Sequence, residues 1–161
     1  MADFKTNVMR ILEKEKIPYQ GHEYPHDDGL IDGISIAQKM GQNPEQVFKT
    51  LVTRGTGNHN KNFFVFVIPV AEELDLKKAA RSVGEKSVEM IAVKELLPIT
   101  GYIRGGCSPI GMKKQFTTVL DETAQLNDTI LVSAGMIGYQ IEIEPDRLVE
   151  FIGAKYDDLT M

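Results

Sequence analysis

The sequence predicts an α+β fold built on a mixed, largely antiparallel, barrel-like β-sheet. Three observations lead there. Strand candidates outnumber helical segments along the chain. They lack the regular βα alternation of a doubly wound sheet. No repeat, low-complexity tract or Pro/Ser-rich linker divides the 161 residues, so a single domain over 1–161 is the simplest organisation.

The elements follow in order. Phe4, Val8, Ile11 and Leu12 stand at helical spacing within 3–15, and Pro18 stops the pattern. YQGHEYPH (19–26) reads as extended and DDGLIDG (27–33) as turns. A short helix over 34–40 is closed by Gly41, and NPEQ (43–46) offers an N-cap followed by proline at a first helical position. VFKTLVT (47–53) and FFVFVI (63–68) are strands joined by the flexible connection RGTGNHNKN. Residues 74–83 read as a helix ended by Gly84, 88–91 as a short strand, and VKELL (93–97) as a helical turn halted by Pro98. Residues 101–104, 117–120, 129–133 and 139–143 are further strand candidates. PDRLVEFI (145–152) is a short helix with Pro145 near its start.

Composition narrows the function classes. With 42% hydrophobic and 25% charged residues the chain suits a compact domain with a real core. No apolar run of about 18 residues exists to span a membrane. The amphipathic opening MADFKTNVMRILEKEK lacks the apolar centre of a signal peptide, which points to the cytosol. A single cysteine excludes an internal disulfide and a Cys-rich zinc cage. The net charge of −5 argues against broad non-specific nucleic-acid binding. Two local basic groups, Lys77/Lys78/Arg81 and Arg104/Lys113/Lys114, are docking patches or ordinary solvated faces.

Candidate chemistry is sparse. HEYPH (22–26) matches the zinc motif H-E-x-x-H, but that motif needs a helix, and Pro25 breaks one. On a strand the two histidines lie roughly 13 Å apart at about 3.3 Å per residue, too far for one metal. Tyr24 then becomes the useful residue of the stretch. In FKTL, Lys49 sits inside an apolar strand, either as an edge lysine reaching solvent or as a cation for a phosphate or a developing negative charge. Cys107, in TGYIRGGCSPIGMKK, is a nucleophile only with a base or positive field nearby, and no local signature supplies one. Gly105 and Gly106 let backbone approach a ligand and present N–H donors, or simply form a tight turn ahead of Pro109. Ser133, in SAGMIG, marks a second loop of similar character.

Several blocks in register resemble the YbaK/EbsC family of free-standing aminoacyl-tRNA deacylases, relatives of the editing domain inserted in bacterial prolyl-tRNA synthetases. The blocks are EKEKIPY (13–19), HEYPHD (22–27), NPEQVFKTLV (43–52), LDLKKAARSVGEKSVEM (74–90), TGYIRGGCSPIGMKK (100–114) and ILVSAGMIGYQIEI (130–143). The resemblance implies a barrel-like mixed sheet with flanking helices and hydrolysis of a mischarged aminoacyl-tRNA, in the close branch Cys-tRNA(Pro). It places the family's essential lysine on Lys49, its pocket tyrosine on Tyr24, its glycine loop on Gly105 and Gly106, and its pocket serine on Ser133. Where relatives often carry aspartate in the last strand, this chain has Gln140. Many relatives are aliphatic at Cys107, which argues against a required thiol there.

The implied scheme needs no metal or cofactor. The substrate's own thiol attacks the ester, the amide of Gly106 with its neighbour holds the oxyanion, and Lys49 anchors the terminal phosphate or organises the site. The implied partners are the acceptor end of a mischarged tRNA and, in a transient complex, prolyl-tRNA synthetase. Three rivals stand beside this reading: a deacylase for another mischarged tRNA such as Ala-tRNA(Pro), a non-catalytic tRNA- or synthetase-binding module, and a hydrolase using Cys107.

Overall fold

The structure is a computed structural model, and it describes residues 4–30, 32–57 and 62–161. Helix α1 (Asn7–Lys14) starts where the Thr6 hydroxyl accepts the Met9 amide at 3.2 Å, and it buries Val8, Met9 and Leu12. Phe4 therefore lies ahead of the helix, against the Tyr139 ring at 5.0 Å. Strand β1 (Gln20–Glu23) leads to α2 (Gly33–Met40), which Asp32 caps and left-handed Gly41 closes. Next come β2 (Phe48–Gly55), β3 (Phe63–Pro69), α3 (Leu76–Ser82) and β4 (Val88–Met90). Then follow α4 (Val93–Thr100), β5 (Thr117–Asp121), β6 (Ile130–Ser133) and β7 (Tyr139–Ile143). Helix α5 (Pro145–Ile152) and β8 (Lys155–Asp157) finish the chain.

The strands form two sheets, ordered β1-β7-β6 and β4-β2-β3-β5-β8. Pairs β1–β7, β6–β7, β2–β3 and β2–β4 are antiparallel, while β3–β5 and β5–β8 are parallel. The α+β class and the mixed, mostly antiparallel pairing follow the sequence expectation. The barrel does not: the sheets stay open and meet through one parallel bridge, Val47 to Leu131. Beyond that bridge β2 and β6 diverge into separate sheets, which leaves a cleft between them.

Strand β3 is buried on both faces. Val65 and Val67 join Val8, Leu12, Ile130 and Ile141 in the main core. Phe64, Phe66 and Ile68 pack on Ala79 and Ala80 of α3. Each such side chain contributes about 1.5–3 kcal/mol of hydrophobic stabilisation, so this strand is the spine of the larger sheet.

Local departures have local causes. NPEQ makes one turn, with Gln46 N–H bonded to Asn43 O at 2.8 Å, before the chain enters β2. Helix α4 runs through Pro98 and ends with the Thr100 hydroxyl donating to Leu96 O at 2.7 Å and the Gly101 amide to Leu97 O at 2.8 Å. Residues 101–104 are a loop, since the Tyr102 amide is taken by the Thr100 hydroxyl at 3.0 Å instead of a neighbouring strand. A 3₁₀ turn at Glu122–Leu126 and strand β8 were not expected. The tip of the β2–β3 connection, 58–61, lies outside the described residues. Among the described residues no helix is long and apolar enough to cross a membrane.

Candidate active site

The cleft between the sheets opens into a cavity of about 150 Å³. The start of β2 supplies Lys49 and Thr50, the loop after α4 supplies Arg104 and Gly105, and the paired strands β6 and β7 supply Ser133 and Gln140. Ser133 and Gln140 are partners in the β6–β7 register, so they share one face of the small sheet. Four of the six residues singled out in the sequence, Lys49, Gly105, Ser133 and Gln140, thus meet around one space.

Lys49 is half-buried, and among the described residues its ammonium makes no ion pair. Burial pulls its pKa below the ordinary lysine value, against the opposing fields of Glu73 and Glu72. Arg104 is exposed at the lip and also lacks an ion pair among the described residues. Asp32 is the acid on the lining, and its carboxylate is engaged by the Ser35 amide at 3.0 Å and the Ser35 hydroxyl at 2.7 Å. Those bonds hold it below the usual carboxylate range. The lining thus carries two cations, Lys49 and Arg104, and one acid, Asp32, in a chain of net charge −5. Lys113 and Lys114 line a different groove, beside Phe63 and Phe116, so the basic cluster grouped with Arg104 in the sequence is split.

The glycine pair divides its labour. Gly106 N–H donates to Ile103 O at 3.0 Å, closing a β-turn with Gly105 at its third position and φ +88°. That left-handed value suits glycine and places Arg104 at the corner. The Gly106 amide, expected to hold an oxyanion, is bonded within this turn, and Gly106 is not on the cavity lining. Its role is close approach: a Cβ there would lie 3.1 Å from Ile137 N and 3.3 Å from Met136 backbone. Gly105 faces the cavity, and no main-chain acceptor among the described residues takes its N–H.

Tyr24 also departs from expectation, because it does not line this cavity. Pro25 follows it, strand β1 ends at Glu23, and the Tyr24 amide bonds Gly138 O at 2.9 Å. The ring is held edge-on to His26, 6.4 Å between centroids, beside a shallow surface depression. Burial raises its hydroxyl pKa. HEYPH is thus strand and loop, not helix. Among the described residues no group of three metal-ligating side chains converges.

Cys107 lines the cavity but is buried, and burial pushes its thiol up to about 12. Burial thus disfavours the thiolate that a nucleophile needs. Among the described residues three buried side-chain oxygens have no hydrogen-bond partner: the Tyr24 hydroxyl, Thr50 Oγ1 and Gln140 Oε1. Thr50 was missed in the sequence, where its only signal was adjacency to Lys49. The Ser133 hydroxyl accepts the Gly135 amide at 3.1 Å.

Comparison with known proteins agrees with this architecture. A candidate Cys-tRNA(Pro)/Cys-tRNA(Cys) deacylase, EbsC of Enterococcus faecalis, is 46% identical over 156 residues, covering 97% of this chain and 93% of that protein. A solved structure described as a candidate trans-editing enzyme for prolyl tRNA synthetase superposes with a TM-score of 0.81 at 24% identity, covering 99% of both chains. Another, of a hypothetical protein, gives 0.86 at 20% identity over 97% of this chain and 100% of that one. The sequence pattern of the aminoacyl-tRNA editing domain matches residues 34–151, a span that holds Lys49, the glycine loop, Ser133 and Gln140. The chain belongs to the aminoacyl-tRNA editing domain family.

Proposed function

We propose that this protein is a single editing domain that removes cysteine from mischarged Cys-tRNA(Pro). The observation that carries the reading is Lys49 on the lining of a small cavity with Gly105, the ammonium without an ion pair and the amide without a main-chain acceptor among the described residues. Support for the substrate comes from the 46% identity to EbsC, whose name carries that activity. A cavity of about 150 Å³ takes one small acyl group and leaves the ribose and its phosphate at the mouth.

An aminoacyl ester is already activated, so position and electrostatics suffice. The cysteine side-chain sulfur attacks the ester carbonyl carbon. The carbon–oxygen bond to the ribose breaks, and the released ribose hydroxyl takes the proton that the thiol gives up. Cysteine leaves as its cyclic thioester, which water opens. The Gly105 N–H donates to the carbonyl oxygen as it becomes negative. Lys49 adds a positive field there, and Arg104 at the lip receives the terminal phosphate. A proline-selecting synthetase site rejects smaller amino acids by only about 1–3 kcal/mol, which is why a second hydrolytic site has a purpose. Prolyl-tRNA synthetase, which makes the error, is the partner that delivers the acceptor end.

The test is deacylation of Cys-, Ala- and Pro-tRNA(Pro) by purified protein, with and without prolyl-tRNA synthetase. Cleavage confined to the cysteine ester is the expected result. Equal cleavage of the alanine ester removes the thiol from the scheme and moves the specificity to the rival substrate.

A further inference from the structure

Lys39 spends all three protons of its ammonium on one segment of chain. It donates to Pro25 O at 2.8 Å, Asp28 Oδ1 at 2.7 Å and Leu30 O at 2.9 Å. Its side chain is only 14% exposed, a position that an ammonium holds only with acceptors around it. The segment is folded to supply them. The Leu30 N–H donates to Asp28 Oδ1 at 3.0 Å, and the Gly29 N–H to His26 O at 3.2 Å.

The helix that carries Lys39 connects this clasp to the cavity. Lys39 lies in the last turn of α2, and the cap and first turn of the same helix put Asp32, Gly33 and Ile36 on the cavity lining. The apolar hold on α2 is small: Ala37 and Met40 pack on Val47, Val70 and Leu131, across the seam between the sheets. At its start α2 is pressed against Val70, since a Cβ on Gly33 would lie 2.3 Å from Val70 Cγ1. It has no room to move inwards there. At its end it is tied to residues 25–30, the segment that leaves β1 of the smaller sheet. We infer that Lys39 is a positioning residue: its three bonds fix α2 as a wall of the cavity, and without them that wall swings outwards. The kinetic consequence rests on the deacylase reading. Helix α2 brings neither Lys49 nor Gly105, so its displacement weakens substrate and transition state alike and falls on KM rather than kcat.

The single cysteine provides a direct probe of the wall, because Cys107 lines the same cavity and is buried. Its modification by methyl methanethiosulfonate is followed by mass spectrometry at fixed pH, well below the melting temperature. Lys39→Met should be modified at least about tenfold faster than the wild type. Its KM for Cys-tRNA(Pro) should rise at least about fivefold while kcat stays within about twofold. Lys78→Met is the control. Its ammonium also holds two oxygens, Thr160 O at 2.7 Å and Asp158 Oδ2 at 2.9 Å, but away from the cavity, and its loss should leave the Cys107 rate unchanged. Thermal melting checks folding. If Lys39→Met does not fold, Asp28→Ala, which removes one of the three acceptors, should still quicken modification about threefold. A wild-type Cys107 rate in the folded variant, equal acceleration in Lys78→Met, or a loss confined to kcat overturns the inference. The two readings separate cleanly. Faster modification with no hydrolysis by the wild type retains the wall and removes the deacylase, whereas hydrolysis with an unchanged Cys107 rate does the reverse.

Discussion

Lys49 places a cost on the fold for the sake of the site. Its folded pKa lies below the ordinary 10.5, so the unfolded chain binds its proton more tightly. The penalty is full at neutral pH and is relieved as pH rises from the folded value towards 10.5. Lys49→Met should therefore melt at a higher temperature than the wild type at pH 7, with the advantage shrinking at alkaline pH, while deacylation is lost. A melting temperature unchanged across that range would show that the ammonium is not penalised. Arg104 is argued differently, because it is exposed. Arg104→Gln should raise KM for the tRNA, spare kcat, and flatten the log–log salt dependence by about 0.7, the share of one single-strand phosphate. At Gly106 the obstacle is backbone at 3.1–3.3 Å, which cannot swing aside. Gly106→Ala should cost about 1–3 kcal/mol in chemical denaturation, and a neutral result would mean that the two loops are not in close contact.

At the scale of elements, legibility tracked the range of the forces involved. Helix α5 was readable because Pro145 marks its start within the segment itself, and the structure adds a left-handed Gly153 that closes it. Strands β2 and β3 were readable because long apolar runs leave few alternatives. Residues 101–104 misled because Tyr102 and Ile103 are strand-like residues, and only the Thr100 hydroxyl and left-handed Gly101 turn the stretch into a loop. Strand β8 was invisible because three residues, Lys-Tyr-Asp, are strand only beside β5. The site divides the same way. Lys49 was conspicuous as a charge in an apolar strand. The positions of Gln140 and Tyr24 depended on how β7 and β1 sit in the small sheet, which no local pattern encodes. That sheet is tied by Glu142 of β7, whose carboxylate accepts from the Thr129 hydroxyl at 2.6 Å and lies 2.8 Å from His22 Nε2 of β1. These bonds, the Thr129 one foremost, hold its pKa below 4.5. A depressed carboxylate contributes stability above its unfolded pKa and loses it as pH falls through the folded value. Glu142→Gln should thus be less stable than wild type at pH 7, with the gap closing below about pH 4.5. A gap independent of pH would assign the loss to packing instead.

For the whole molecule, the acidic balance and a small cavity with two cations on its lining fit a domain that holds only the last nucleotide of its substrate. With two cations at the site, the salt dependence of kcat/KM should be shallow, a slope near −1 to −2 rather than the steep slope of proteins that grip many phosphates. A slope several times steeper would mean that Lys77, Lys78 and Arg81 join the contact.

The one-bridge seam at Val47 and Leu131 has a kinetic meaning. Lys49 rides on the larger sheet and Ser133 on the smaller, so an occupant that touches both acts as a staple between two plates. Amide exchange should register this as slowed opening at Leu131, whose N–H reaches across to Gln46 O, while Phe66 in the interior of the larger sheet keeps its unliganded rate.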